Sequence, residues 1–378
     1  MSTNQRICSR CLSDSSMPGL TFDEAGVCNF CKIHDMLEAK FPLGDLGQKR
    51  LDKLLNDIKS KGKNKQHDCV VGLSGGTDST YCLYMAKKLG LRPLAVHFDN
   101  HWNSDIAEEN IKNAVKRLNV DLRKITCDWD EFKDLQISFL KASIPDAEMP
   151  TDIGIISALY RAAAEEGINY ILNGHSFRAE GVMPLKWSYG DGRYMKSVQK
   201  LFGNAELKSF PNLTISSLIY YTFLKGIRVV PLLSYIDYNK EESKRLLEQE
   251  LDWKYYGGHH FESTYTYFIS YVRWKKFGID ARKVEYSALV RSGQMEKSQA
   301  LEKIKEAFPE NQEIIDYCIK RIGFTRDEFN EIMSSEIKSF LDYPTYYSTI
   351  RACKIPIKIC CEIGLLPNIF YEKYLRQT

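Results

Sequence analysis

The chain lacks an excess of charge of either sign: 52 Lys and Arg stand against 49 Asp and Glu, a formal charge of +3 over 378 residues. Such a balance carries no broad positive field of the kind that gathers nucleic acid, so nucleic acid is an unlikely partner, although a local basic patch stays open. The opening MSTNQRICSRC has no apolar core of the sort a secretory signal needs, and the expected location is the cytoplasm. No membrane span is expected either. The longest apolar stretch, Leu213 to Leu233, is broken by Lys225, Arg228 and Pro231, whereas a bilayer span takes roughly 20 mostly apolar residues. It reads as buried strand and helix, with peripheral membrane contact as the weaker alternative. Internal repeats and low-complexity segments are missing. In a reducing cytosol the eleven cysteines point to metal binding or packing rather than disulfides.

Four of those cysteines are patterned. Cys8 and Cys11 form one C-x2-C pair and Cys28 and Cys31 another, with sixteen residues between them, the spacing of a four-thiolate Zn2+ site on two knuckle turns. Iron or free thiols are the alternatives. So short a segment has too little core to fold alone, and metal binding would supply folding energy of order 10 kcal/mol. Four thiolates leave no open coordination position, so the metal is structural and the ribbon a docking or lid element.

The expected organisation is a zinc ribbon over 1–40, a charged amphipathic linker helix within 41–66, a sheet domain over 67–250 and a mainly helical substrate- or partner-binding region over 251–378. Within the sheet domain HDCVVGLS, RPLAVHFDN, DLRKITCD and INYILNGH read as strands. TDSTYCLYMAKKLG, SDIAEENIKNAVKRLN and DIGIISALYRAAAEEG between them read as helices. Strand and helix in strict turn give an α/β fold with a doubly wound parallel sheet and its ligand at the carboxyl ends of the strands.

The first strand runs into Ser74-Gly75-Gly76-Thr77-Asp78-Ser79 and then a helix. Two adjacent glycines let backbone N–H groups converge on an anion, and the helix N-terminus adds positive partial charge. Asp78 would repel a bare phosphate and makes sense with Mg2+ between them. No Gly-Lys-Ser/Thr follows, which excludes the loop that transfers a terminal phosphate, and the dinucleotide fingerprint is absent.

An SGGxDS loop after the first strand resembles the PP-loop ATP pyrophosphatases, with their adenine nucleotide alpha-hydrolase-like sheet. The resemblance implies cleavage of ATP to AMP and pyrophosphate, with AMP attached to a carbonyl oxygen that nitrogen or sulfur then replaces. It also nominates His97, Phe98, Asp99 and Asn100 at the second strand's end, and Asn173, Gly174 and His175 at a later one, as neighbours of the nucleotide; packed loop residues are the bland alternative. A zinc ribbon ahead of such a loop also occurs in tRNA 2-thiolation enzymes, the competing reading. Those typically carry further cysteine pairs and a basic face, whereas Cys69, Cys82, Cys127, Cys318, Cys353, Cys360 and Cys361 form no second C-x2-C pair. Cys69 and Cys82 read as core thiols. A nucleotide-sensing subunit without catalysis is the third reading.

Three longer segments, Met149 to Gly181, Pro231 to Glu242 and Tyr255 to Met295, together with the ribbon, resemble the N-acetyl sugar amidotransferase family of bacterial surface-sugar pathways, such as O-antigen synthesis. That resemblance implies conversion of an acetamido group to acetamidino on a free or nucleotide-linked sugar. The ammonia would come from separate glutaminase and ammonia-channel subunits resembling those of histidine biosynthesis. Asp78, Ser74, His260 and Glu180 are then candidate catalytic groups. Thr151 and Asp152, expected at a helix N-cap, Arg178, His259 and Glu262 are candidate substrate contacts; His259, His260 and Glu262 as metal ligands are the alternative. Arg273, Lys275, Lys276, Arg282 and Lys283, interleaved with Tyr271, Trp274 and Phe277, read as a solvated helix face or as a patch for phosphates or a partner's acidic surface.

Overall fold

Short apolar runs rich in Val, Ile and Leu make the strands, and each is followed by a segment with helical periodicity. The computed structural model describes residues 6–257 and 261–376. Strands β1 (Cys69–Gly72), β2 (Pro93–Asp99), β3 (Leu122–Thr126), β4 (Tyr170–Asn173) and β5 (Arg228–Pro231) form one parallel sheet in the order β3-β2-β1-β4-β5. The helices through the middle of the chain are α1 (Asn29–Lys40), α2 (Gly44–Lys61), α3 (Thr77–Lys88), α4 (Asp105–Leu118), α5 (Trp129–Lys141), α6 (Met149–Glu165), α7 (Gly192–Phe202), α8 (Ile215–Ile219), α9 (Lys240–Leu251), α10 (Thr264–Phe277) and α11 (Arg282–Arg291). Further short helices run from Lys297 to the end of the description.

The strand alternation sorts residues to two faces. Cys69, Val71 and Ala95 pack with Leu51, Leu55 and Ile58 of α2 and Cys82, Leu83 and Ala86 of α3. Val70, Leu94 and Val96 pack with Leu159, Tyr160 and Ala162 of α6. A second core joins α5, α7 and α10 to the C-terminal helices through Phe132, Phe139, Tyr194, Phe268 and Phe329. Helix α5 was not among the expected elements; Asp128 caps it by accepting from the Glu131 N–H. The Leu213–Leu233 stretch does contain a helix and a strand, yet Ile219, Phe223 and Leu224 face outward, so that part of it is an exposed apolar surface rather than core. No helix among the described residues is long and apolar enough to cross a membrane.

The cysteine segment is bolted to the sheet domain and to the helical region by ion pairs and hydrogen bonds. Arg178, expected to face the substrate, is instead 3% exposed and makes a two-pronged pair with Glu38 of α1. It also donates to the Ser234 and Phe41 carbonyls. Four of its five N–H groups are therefore spent inside the protein. Asp14 pairs with Lys283 at 2.7 Å, and Lys297 donates to the Cys8 and Ser9 carbonyls. Arg178→Met keeps the length but leaves Glu38 and two carbonyls unanswered. It is expected to lower unfolding free energy by about 2 kcal/mol, read as a lower urea midpoint.

Candidate active site and metal centre

Each C-x2-C pair folds into a knuckle, and the four sulfurs converge in a buried cluster. Sγ separations are 3.8 Å for Cys8–Cys31, 3.7 Å for Cys11–Cys28 and 3.6 Å for Cys28–Cys31. A tetrahedron of sulfurs at the usual zinc–sulfur bond has edges of about 3.8 Å, so the donor set fits zinc without rearrangement. The N–H groups of Arg10 and Cys28 point at Cys8 Sγ, at 3.4 and 3.2 Å. Arg291 of α11, buried, reaches Cys11 Sγ at 3.2 Å and Ser13 Oγ at 2.9 Å, placing a fixed positive charge beside thiolates that outnumber the charge of the ion.

The parallel sheet reverses direction of winding between β1 and β4, and the crevice of such a sheet opens there. The Ser74–Ser79 loop leaves β1 at that point and enters α3 with Gly76 as its N-cap. Gly75 has φ +83°, and a Cβ there would stand 2.5 Å from the Ala107 carbonyl oxygen. The loop is closed on itself. Ser74 Oγ lies 3.0 Å from Ser79 Oγ and accepts from the Gly76 N–H at 3.3 Å. The Gly75 carbonyl is pinned from outside by Trp253 Nε1 at 2.9 Å and Asn110 Nδ2 at 3.2 Å. The Thr77 N–H meets the Tyr256 hydroxyl at 3.2 Å. These amides and hydroxyls form an anion cradle at a helix N-terminus, and the positive φ of Gly75 gives that cradle its shape.

Asp78, in the first turn of α3, accepts from the Tyr238 hydroxyl and lies 3.9 Å from Lys240 Nζ. Lys240 is buried and pairs with Glu285 of α11 at 3.0 Å. Burial pulls its ammonium down, but Asp78, Glu285 and Glu180 outweigh this and hold it above its ordinary value. Gly174, after β4, packs on this turn, since a Cβ there would stand 2.8 Å from the Asp78 carbonyl oxygen. His175 Nδ1 pairs with Glu180 at 3.2 Å. Asp78 is a hard oxygen donor of the kind Mg2+ takes beside phosphate oxygens; Glu180 and Glu285 act on the same Lys240 but are not gathered with Asp78 into one ligand group.

Other expected residues separate. His97 and Asp99 share one face of β2, while Phe98 points to the opposite face, into the core against Gly154 and Phe210. Both nitrogens of His97 are engaged, Nδ1 with the Leu73 carbonyl at 2.8 Å and Nε2 with Asn103 at 2.8 Å. Burial pushes its pKa down, so it stays a neutral latch between β2 and the end of β1. Asp99 is held by Lys124 at 2.8 Å. Thr151 and Asp152 are not at an N-cap: α6 begins two residues earlier at Met149, because Pro150 costs no hydrogen bond in a first turn. Glu262 reaches the cradle itself, with Oε1 3.3 Å from Ser74 Oγ. Gly258, His259 and His260 lie outside the described residues. The basic residues read as a solvated helix face or as a patch are each paired within the protein: Arg273 with Asp146, Lys275 with Glu310, Lys276 with the Ile332 carbonyl, Arg282 with Asp280 and Lys283 with Asp14. Tyr238, Lys240, Tyr256, Trp253 and Glu285 were missed by sequence reasoning as individual site residues, although most sit in the Pro231–Glu242 and Tyr255–Met295 segments that carried the resemblance.

Residues 68–154 match the family described as queuosine biosynthesis protein QueC, and residues 262–355 match the one described as LPS biosynthesis protein WbpG-like, C-terminal domain. The chain thus carries a QueC-like PP-loop segment and, after it, a segment like the C-terminal domain of WbpG. PP-loop domains of this kind are those of ATP-utilising enzymes. An uncharacterized protein of Methanocaldococcus jannaschii, MJ1599, is 25% identical over 266 residues, 68% of this PP-loop chain and 79% of its own length. The tRNA-specific 2-thiouridylase MnmA of Yersinia enterocolitica is 28% identical over 134 residues, 32% of this chain and 36% of its own. The crystal structure of a predicted subunit of tRNA methyltransferase from Methanocaldococcus jannaschii shares 16% identity over 47% of this chain and 73% of its own, with a TM-score of 0.29, too low to carry an argument.

Cys11→Ser is expected to lose the zinc and to lower the thermal midpoint, checked by metal analysis and calorimetry. Asp152 offers a second measurement. Its side chain keeps open surface, with Asp146, Glu148, Arg273 and Lys373 close enough to act on its charge. Burial, with Asp146 and Glu148 adding to it against Lys373 and Arg273, pushes its carboxyl up to about 7 from 3.8. The folded chain thus holds this proton more tightly than the unfolded one, and stability drains away as pH rises from about 4 to about 7. At pH 8 Asp152→Asn is expected to be more stable than wild type by about 1 kcal/mol, the figure being small because the carboxylate meets solvent. At pH 4 the two should coincide in denaturant titrations.

Proposed function

We propose that the chain is an ATP-dependent, AMP-forming amidotransferase that converts the acetamido group of a bacterial surface-polysaccharide sugar, free or nucleotide-linked, to an acetamidino group. One observation carries the reading. Glu262, the first residue of the WbpG-like segment, touches Ser74 of the loop that lies in the QueC-like segment, so the two matched regions build one site.

In this reading the acetamido oxygen attacks the α-phosphorus of ATP and pyrophosphate leaves into the cradle of Ser74, Gly75, Gly76, Thr77 and Ser79. Ammonia then adds to the adenylated carbon, AMP departs with the oxygen, and the proton shed by nitrogen goes to a base. The His175–Glu180 pair stands at the carboxyl end of β4 for that role. Mg2+ on Asp78, when bound, would supply neutralisation of the phosphate charge that builds up as the bond breaks. An amide oxygen is a weak nucleophile, so fixed donors that answer charge only as it develops carry most of the acceleration. Ammonia is scarce in its free form at neutral pH, which is why separate glutaminase and ammonia-channel subunits belong to the proposal.

The likeness to a tRNA-specific 2-thiouridylase favours sulfur transfer to tRNA as the second reading. Against it stand the cysteines of the sheet domain: Cys69, Cys82 and Cys127 are buried, and burial raises all three thiols, Cys127 to about 12. Thiols of that kind are poor sulfur carriers.

Acetamido sugars, sugar nucleotides and nonulosonic acids incubated with the protein, ATP, Mg2+ and ammonium should yield one sugar carrying NH in place of oxygen, seen by mass spectrometry, with matching pyrophosphate. Asp78→Ala is expected to cut pyrophosphate release by about 100-fold or more with zinc content unchanged. Modification of tRNA without any sugar product would replace this reading by the second.

A further inference from the structure

The PP-loop itself contains no lysine, yet a buried lysine from far along the chain stands beside its one carboxylate. Lys240 opens α9, with its side chain 8% exposed and Nζ 3.0 Å from Glu285 and 3.9 Å from Asp78. The position is built rather than incidental. Asn239 caps α9 through the N–H groups of Glu241 and Glu242. The Lys240 N–H donates to Gln294 Oε1 at 3.2 Å, and Gln294 Nε2 donates in turn to the Tyr238 carbonyl at 3.0 Å. The Tyr238 hydroxyl holds the other oxygen of Asp78. The lysine is therefore tethered by Glu285 and rests more loosely on Asp78.

We propose that Lys240 is the counter-ion of Asp78 in the nucleotide-free protein, and that it passes to a phosphate oxygen of the bound nucleotide when a divalent cation takes its place on Asp78. The inference rests on the nucleotide-binding reading above and adds a phosphate-binding residue to it. A buried carboxylate without a positive neighbour is strongly destabilising, so Asp78 needs a cation before any metal arrives. Once a divalent ion sits on Asp78, an ammonium about 4 Å from the same carboxylate is repelled at short range. A compact charge on a flexible four-carbon stem can then swing to the phosphate oxygens that arrive with the ion, whereas a rigid planar guanidinium would lose its paired geometry. Glu285 keeps the stem within reach through the exchange.

The test measures binding rather than turnover, by calorimetry on the full chain with Mg2+ alone and with α,β-methylene-ATP at saturating Mg2+. Lys240→Met is expected to bind Mg2+ alone at least about tenfold more tightly, because its competitor is gone, and the ATP analogue at least about tenfold more weakly. Lys240→Arg should restore weak Mg2+ binding without restoring the analogue. A lysine that merely packs would move both affinities in the same direction or neither, and either result overturns the proposal. Wild-type protein that fails to bind the analogue overturns the nucleotide reading and this inference together, whereas normal wild-type binding with an unchanged variant overturns the inference alone. If Lys240→Met does not fold, Lys240→Met with Glu285→Gln removes the lysine together with one of its carboxylates and carries the same test.

Discussion

The parallel pairing of β1 with β4 brings two chain crossings side by side at the carboxyl edge of the sheet, and the approach of their backbones governs the site. Gly174 comes so near the first turn of α3 that a Cβ would stand 2.8 Å from the Asp78 carbonyl oxygen. This contact sets His175 and Glu180 beside the loop and leaves the convergent N–H groups of α3 facing the crevice. A doubly wound sheet makes such a crevice wherever its winding reverses; here the loop after β1 supplies the anion cradle and the segment after β4 the His175–Glu180 pair.

Around that contact the molecule is held by charges removed from water. Helix α11 carries Glu285, which tethers Lys240, and Arg291, which faces the cysteine sulfurs. Arg178, two residues before Glu180, clamps the helix that follows the second cysteine knuckle. The cysteine ribbon is thereby linked by short covalent paths to Glu285 and Glu180, two of the three carboxylates that act on Lys240. Such pairs add little net stability over apolar packing but are costly to break singly. They hold the ribbon, the helical region and the crevice in one register.

The local part of this was readable. The alternation of apolar strands and amphipathic helices announced a parallel α/β sheet, and the SGGTDS loop and the two C-x2-C pairs were legible because all the atoms they need lie within a few residues. Reading side chains one at a time failed where the partner was distant. Arg178 looked like a ligand contact and is held by Glu38 and two carbonyls; the Arg273–Lys283 run read as a solvated face or a patch, and its charges are answered by acids and a carbonyl, most of them distant in sequence. Phe98 sat in the right strand but on the face that the pleat turns into the core.

The sequence by itself determined the anion cradle, the four-sulfur site and the class of sheet, because each follows from spacing along a continuous backbone. Only the tertiary structure decided which charges are free. Asp78 meets Tyr238 and Lys240, and Lys240 meets Glu285, through packing of β1, α3, α9 and α11 across long sequence separations. Spacing cannot report such pairings, since the energy that selects them is the avoidance of unpaired buried charge, a property of the assembled interior.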